Sequence, residues 1–229
     1  MVLENLSIVV PVKNEGENLK FILPRIKKFS DDIIVVDGHS NDGSKEICED
    51  LNIKFILDNN LGKGDAQKIG VKEAKYEYII FIDGDGSHDL EDVDKLYYHI
   101  TKNNYDLVVG SRMTGGSLDI ISNTSFIGFI RFTGNNFLIY LFNLVFKKKL
   151  TEVLYSFRIL KRKSFLEANI TANKFDIELD ILIKFSIKKY KISELPSREM
   201  KRVYGKSKLN TLVGIMFIMQ ILKYLFVKK

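Results

Sequence analysis

At the end of an apolar run, Tyr78 to Ile82, stand Asp83, Gly84, Asp85, Gly86 and Ser87. Two carboxylates one residue apart on an extended chain project the same way, and unpaired they repel. A hard, oxygen-binding divalent ion such as Mg²⁺ or Mn²⁺ relieves that repulsion and keeps coordination positions for substrate phosphates. Asp and Gly also suit a solvated turn, so this stretch alone leaves both readings open. A calcium loop of the EF-hand type does not fit. His88 stands where its glycine belongs, Asp94 replaces its final glutamate, and a strand precedes it.

Cationic groups recur at comparable places. Gly62-Lys63-Gly64 reads as a flexible turn presenting an ammonium, with Asp65 next, where it would cap a helix. It is no dinucleotide fingerprint, because Gln67 takes the place of the third glycine, and the chain has no Gly-Lys-Ser/Thr phosphate loop. Gly110-Ser111-Arg112 and the run Arg202 to Lys208 bring a guanidinium and three further cations, suited to phosphate oxygens or to solvent. Beside two metal-binding carboxylates they would form a diphosphate clamp. In KFDIELD, Asp176 and Glu178 are either general-base carboxylates or the polar face of a helix start.

The elements that must position these groups alternate in type. Ser7–Val12 reads as a strand and Glu17–Phe29 as a helix, with Pro24 expected in its first turns or at a kink. Strand IIVVD, helix SKEICEDL, strand IKFIL, helix DAQKIGVKEA, strand YIIFID, a helix through Val93 and Ile100, and strand DLVVG follow. Strands that read as continuous apolar runs are covered on both faces, which predicts an α/β fold with a mostly parallel sheet. In such a sheet, ligands bind beyond the carboxyl ends of the strands, and five polar loops fall there. After Ser117 come an aromatic and aliphatic segment, Phe126–Phe146, the triplet Lys147–Lys149, a β-like VLYSFRIL, a helical DIELDILIKFSIKKY and a strand-like KISELPS.

The whole chain of 229 residues is 45% hydrophobic and 28% charged with three prolines, which excludes wholesale disorder and two independent enzymes. Its single cysteine, Cys48, excludes an internal disulfide and no Cys/His cluster has zinc spacing, so a reducing cytoplasmic setting is expected. The first residues enter a strand without a signal-peptide pattern, so secretion is not expected. A net charge of +6 predicts an anionic partner.

In chain order, SIVVPVKNEGENL, IIVVDGHSNDGS, GKGDAQKIG, IDGDGSHD, VVGSR and the late RVYGKSKLN resemble the inverting glycosyltransferases of family 2. The resemblance is nearest to the dolichol-phosphate and polyprenyl-phosphate sugar synthases and covers roughly 200 residues. It implies the A-type nucleotide-sugar fold, Rossmann-like, with Pro11, Lys13, Glu15 and Asp37 lining the base and ribose pocket. It further implies that Asp83 and Asp85 hold a divalent metal, Mg²⁺ or Mn²⁺. Gly84 lies between them, and Ser87 falls where some relatives use an amide ligand. Lys63 and Asp65 join the nucleotide-sugar set. Arg112, Arg131 and Arg202 match basic positions that act with Asp85 on donor or acceptor phosphates, and Lys208 sits in the same late motif. The sequence departs from the family pattern at VDGHS, at Glu152 and at YSFR, where relatives have a second aspartate, an aspartate and a Ser-Gly-Phe stretch.

The reaction so implied is displacement at the anomeric carbon of a nucleoside-diphosphate sugar, of GDP-mannose or UDP-glucose type, by a polyprenyl or dolichyl phosphate. The alternative is transfer from a UDP-sugar to a carbohydrate hydroxyl, with Glu178 or Asp176 as base. Residues 1–208 are expected to form the transferase domain, with a membrane-interface segment at 126–149. Residues 209–229 are expected to be an apolar segment, interfacial or packed. A peripheral position at the cytoplasmic face of the membrane and a homodimer are expected, and nucleic acid is not. A nucleotide-binding regulatory module and a basic nucleic-acid-binding domain are the readings from other classes; neither needs the ordered motif set.

Overall fold

The computed structural model describes residues 2–116, 126–202, 204 and 213–227. Seven strands form one sheet in the order β3-β2-β1-β4-β6-β5-β7. They are β1 (Leu6–Val12), β2 (Asp32–Asp37), β3 (Lys54–Leu57), β4 (Tyr78–Phe81), β5 (Leu107–Ser111), β6 (Arg158–Lys161) and β7 (Ile192–Pro196). Four of the six pairings are parallel, and only β6 runs against its neighbours β4 and β5. The mostly parallel α/β reading therefore holds.

Helices cover both faces of the sheet, as the apolar strands require. α1 (Gly16–Ile26), α2 (Ser44–Asp50) and α4 (Asp92–Asn103) bury Leu19, Ile22, Cys48, Val93 and Leu96 with one face of β1, including Ile8 and Val10. On the other side, Val9 and Val36 join a core formed with α3 (Lys63–Glu73), α7 (Arg162–Ala168) and α8 (Ile177–Ile187), to which α6 (Phe126–Phe146) and α9 (Val213–Val227) also contribute. The short α5 (Arg112–Gly115) follows β5 directly. Neighbouring residues of β1 enter opposite cores because side chains alternate across a strand.

Three local expectations need correction. Pro24 lies near the C-terminal end of α1, not in its first turns, and its missing N–H removes the helical donor for the Lys20 carbonyl. α3 begins at Lys63, so Lys63 and Gly64 form its first turn and are not part of a flexible loop. Of VLYSFRIL only Arg158, Ile159 and Leu160 lie in a strand, β6, because the residues before them form a loop tied to Glu152.

The two apolar segments pack on each other. α6 and α9 are in contact, with the Phe146 and Tyr224 rings 6.3 Å apart, and Phe217 and Ile221 of α9 are buried in the core. No helix among the described residues is long and apolar enough to cross a membrane.

Candidate active site

β2 and β4 flank β1 on opposite sides, so the connections leaving β1 and β4 diverge and open a crevice at their carboxyl ends. A cavity of about 480 Å³ occupies that crevice, a size suited to a small-molecule ligand. Gly84 shows how tightly its floor is built: a Cβ there would meet Val12 Cγ1 at 2.6 Å. A side chain at this position would push the loop after β4 away from β1.

Asp83 is anchored from several directions. Its carboxylate has the Lys63 ammonium at 2.8 Å from Oδ1 and 3.0 Å from Oδ2, and Ser156 Oγ donates to Oδ2 at 2.5 Å. Lys63 also lies 3.0 Å from Glu178 Oε1. Burial alone would raise the Asp83 pKa, but the adjoining ammonium and the Ser156 hydroxyl outweigh it and hold the carboxyl well below the usual carboxylate range. For Lys63, burial disfavours the charge, yet Asp83 and Glu178 keep it protonated. Asp85 accepts from the Ser87 N–H at 3.0 Å through Oδ1 and faces Arg202 Nη2 at 2.9 Å through Oδ2.

Arg112 is fixed before any substrate arrives. Its Nε donates to Glu152 Oε2 at 2.8 Å, Nη1 lies 3.3 Å from Glu199 Oε1, and the guanidinium stands 4.7 Å from the centre of the Tyr155 ring. Burial works against this cation, but Glu152 and Glu199 hold its pKa above the ordinary arginine value. Glu152 is fully buried, and its other oxygen accepts the backbone N–H groups of Val153, Leu154 and Tyr155. The glutamate that departs from the family pattern thus ties Arg112 to the loop entering β6.

Most of the sequence-derived residues converge on this cavity. Pro11, Lys13 and Glu15 approach it from β1, and Asp83, Gly84, Asp85 and Ser87 from β4. Lys63, Arg112, Glu178 and Arg202 complete the convergence. Asp37 and Asp65 are not among the lining residues. The Asp37 carboxylate accepts the Ser40 N–H and hydroxyl, and Asp65 turns back to Asn59, accepting its N–H at 2.8 Å; both shape loops at the rim. Asp65 lies inside the first turn of α3, three residues past the cap position Gly62, so it does not cap the helix as expected. Asp176 is also outside the lining and accepts the Lys174 N–H at 3.2 Å, just ahead of α8. Arg131 belongs to α6, with its side chain outside the described residues, where Lys208 also lies.

A family model described as "Glycosyl transferase family 2" matches residues 7–167, which span β1 through the loop and strand that carry Ser156 and Arg158. The chain belongs to glycosyltransferase family 2. Glycosyltransferase AglJ of Haloferax volcanii is 26% identical over 206 residues, covering 87% of this chain and 64% of that protein. A dolichyl-phosphate beta-glucosyltransferase of Dictyostelium discoideum is 27% identical over 204 residues, covering 76% of this chain and 60% of its own length. The chain therefore spans somewhat under two thirds of both relatives. Among solved structures, glucosyl-3-phosphoglycerate synthase of Mycobacterium tuberculosis, in complex with Mg²⁺ and uridine diphosphate, superposes with a TM-score of 0.73 at 16% identity. That match covers 96% of this chain and 78% of the other and shows that the two share a fold.

Two residues that matter to the site, Arg158 and Glu199, carry little sequence signal. Arg158 is buried to 1% exposure inside an apolar strand, where it donates from Nη1 to the Glu178 carbonyl at 2.8 Å and from Nε to the Tyr155 carbonyl at 3.1 Å. Burial pulls its pKa down to about 10. An arginine within FRIL was the available hint, since a charge in a buried strand must be paired. Glu199 was missed because its place depends on a long-range bridge between His88 and Glu199.

Proposed function

We propose that this chain transfers a hexosyl group from a nucleoside-diphosphate sugar, of GDP-mannose or UDP-glucose type, to a polyprenyl or dolichyl phosphate with inversion at the anomeric carbon. One observation carries the choice of acceptor: each described carboxylate lining the cavity is already engaged by a donor or cation. Asn18 Nδ2 serves Glu15, the Asn60 N–H serves Asp58, Lys63 serves Asp83 and Glu178, Arg202 serves Asp85 and Arg112 serves Glu199. A hydroxyl acceptor needs a base, whereas a phosphate monoester, with a second pKa of about 6, arrives largely dianionic. Its oxygen forms the new bond to the anomeric carbon as the bond to the diphosphate oxygen breaks, and no proton has to move.

The donor set fits a hard divalent ion. Asp83 Oδ1 is buried and accepts no aligned hydrogen bond, its Lys63 contact being an ion pair, and Asp85 Oδ2 likewise faces only a cation. Asp83, Asp85 and Ser87 would hold Mg²⁺ or Mn²⁺, which when bound neutralises charge growing on the leaving diphosphate. Among the described residues no group of three or more His, Cys, Asp or Glu is arranged around a metal, so the diphosphate would supply further ligands. Arg202, Arg112 and Lys174 line the same cavity and suit phosphate oxygens, and Lys13 and Glu15, which line it too, are proposed to meet the base and ribose. Arg131 and Lys208 are proposed to join them on phosphate.

Leu61, Leu154, Phe175 and Phe217 give the cavity an apolar wall, which suits an isoprenoid chain. The names of the Dictyostelium and mycobacterial proteins, with a dolichyl-phosphate acceptor and a UDP complex, support the same substrate classes. The second reading, a carbohydrate hydroxyl acceptor, is favoured by Glu178 alone, because it lines the cavity.

The test is to incubate the chain with GDP-mannose, UDP-glucose and UDP-N-acetylglucosamine, each with and without polyprenyl phosphate and chelator, and to read organic-soluble products by mass spectrometry. A chelator-sensitive glycolipid phosphate supports the proposal; products confined to soluble glycans overturn it. Glu178→Gln should leave the pH profile of the lipid-phosphate reaction unchanged, and loss of its acidic limb would restore the hydroxyl reading.

A further inference from the structure

Asp83 lies two residues beyond the last paired residue of β4, and Ser156 two residues before the first of β6. The antiparallel pair Phe81–Arg158 fixes the register, and continuing it sets Ser156 opposite Asp83. Between them stands His88, 4% exposed, its ring stacked on Phe157 at 4.6 Å and edge-on to Tyr155 at 5.1 Å. The hydrogen bonds around it admit one assignment. The Asp83 backbone N–H can only donate, so His88 Nδ1, 3.3 Å away, is the acceptor and the ring proton sits on Nε2. That proton points at Ser156 Oγ, 3.1 Å away, and the hydroxyl hydrogen is left to serve Asp83 Oδ2 at 2.5 Å. The ring of bonds begins on the backbone of Asp83 and ends on its side chain.

We infer that His88 and Ser156 are positioning residues, which lock the Asp83 carboxylate in one rotamer with Oδ2 occupied and Oδ1 turned to its cation. A histidine satisfied only as core would need no hydroxyl between itself and the acid. Here the hydroxyl lines the cavity and the imidazole is walled in by aromatic rings. Partners that orient a ligating carboxylate are typically worth about 10- to 100-fold in metal affinity. The inference rests on Asp83 serving the metal and nucleotide in the proposed reaction.

The experiment measures Mn²⁺ binding to the full chain in the presence of UDP or GDP, by the paramagnetic resonance signal of free Mn²⁺, with thermal unfolding recorded in parallel. Ser156→Ala is expected to weaken Mn²⁺ binding by about 10-fold or more, and Ser156→Thr, which keeps the hydroxyl, to return it to within about 3-fold of the parent. His88→Phe keeps the packing and removes both nitrogens, and should cost as much as Ser156→Ala. The double variant should be no worse than the poorer single one, because both break one ring. Should His88→Phe not fold, the Ser156 pair decides the matter alone. Parent-like Mn²⁺ binding in Ser156→Ala, or losses that multiply in the double variant, overturns the inference. Asp83→Ala separates the levels: if it too binds Mn²⁺ normally, the proposed site itself is wrong; if it alone fails, only the positioning role is.

Discussion

At Asp83, desolvation and charge oppose each other, and the ammonium 2.8 Å away decides the balance in favour of the carboxylate. Asp83 is therefore held in its ionised form, ready for a cation. Asp83→Ala or Asp85→Ala should lower turnover by about 100-fold or more, since charge stabilisation at a leaving diphosphate supplies several kcal/mol. Steady-state kinetics together with an unchanged circular dichroism spectrum would check this, and retention of most activity would refute it. Away from the site, Cys48 is fully buried, and burial, reinforced by Asp37 and Glu49, pushes its thiol up to about 12. The unfolded thiol ionises near 9, so between about pH 9 and 12 the unfolded chain binds fewer protons than the folded one, and stability falls as pH rises. Denaturant melts at pH 8 and 10 should show wild type losing up to about 1.4 kcal/mol per pH unit relative to Cys48→Ala within that window. Equal losses would show that the thiol ionises as easily in the folded state.

At the scale of elements, the site is made by where strands end and what the following turn can tolerate. Gly84 separates the two acids because the floor of the crevice leaves no room for a methyl group beside Val12. Gly84→Ala should therefore move both carboxylates together and cut turnover by an order of magnitude or more, while thermal stability drops by about 1–3 kcal/mol from overpacking. Activity equal to the parent would mean that β1 and β4 yield more easily than their shared sheet suggests. The loop after β2 has a comparable role. Asp42 accepts the Gly16 N–H at 2.6 Å and the Ser44 hydroxyl at 2.6 Å, so one carboxylate closes the starts of α1 and α2. Burial would raise its pKa, but these donors more than offset that and lower it, so this contribution is present at neutral pH and fades as the carboxyl protonates in acid. In the sequence, SNDGS reads only as a turn; the double duty appears when α1 is brought against it.

Across the whole molecule, apolar residues remain uncovered beside the site. Phe137, Tyr140 and Leu144 of α6, and Met216 and Met219 of α9, are each about half exposed or more, on two helices that pack together next to the cavity that Phe217 helps to wall. Lys147–Lys149 follow α6 directly. If the acceptor is a lipid, this side of the protein should meet the bilayer, each basic residue near an anionic surface adding about 1 kcal/mol. Co-sedimentation with anionic vesicles should show binding at low salt that weakens as salt is raised; no sedimentation at low salt, with the protein intact, would oppose a membrane role.

The order of strands and helices, the acid pair and part of the cavity lining could be read from the chain, because each leaves a local trace: a period of two or 3.6, a turn residue, a carboxylate after a buried strand. Asp65 and Asp37 could not be separated from true lining residues in that way, since the direction of a side chain at a strand or helix end depends on what the neighbouring loop offers. Asp65 took Asn59 and Asp37 took Ser40. Arg158, Ser156 and His88 lay beyond such reading for a related reason. Their importance comes from an antiparallel strand inserted between β4 and β5, which brings residues more than 60 positions apart within hydrogen-bonding distance. Sequence settled which groups exist and at which edge they gather; tertiary packing settled which oxygen faces which cation, because burial drives most polar atoms to find partners and only the folded chain supplies the choices.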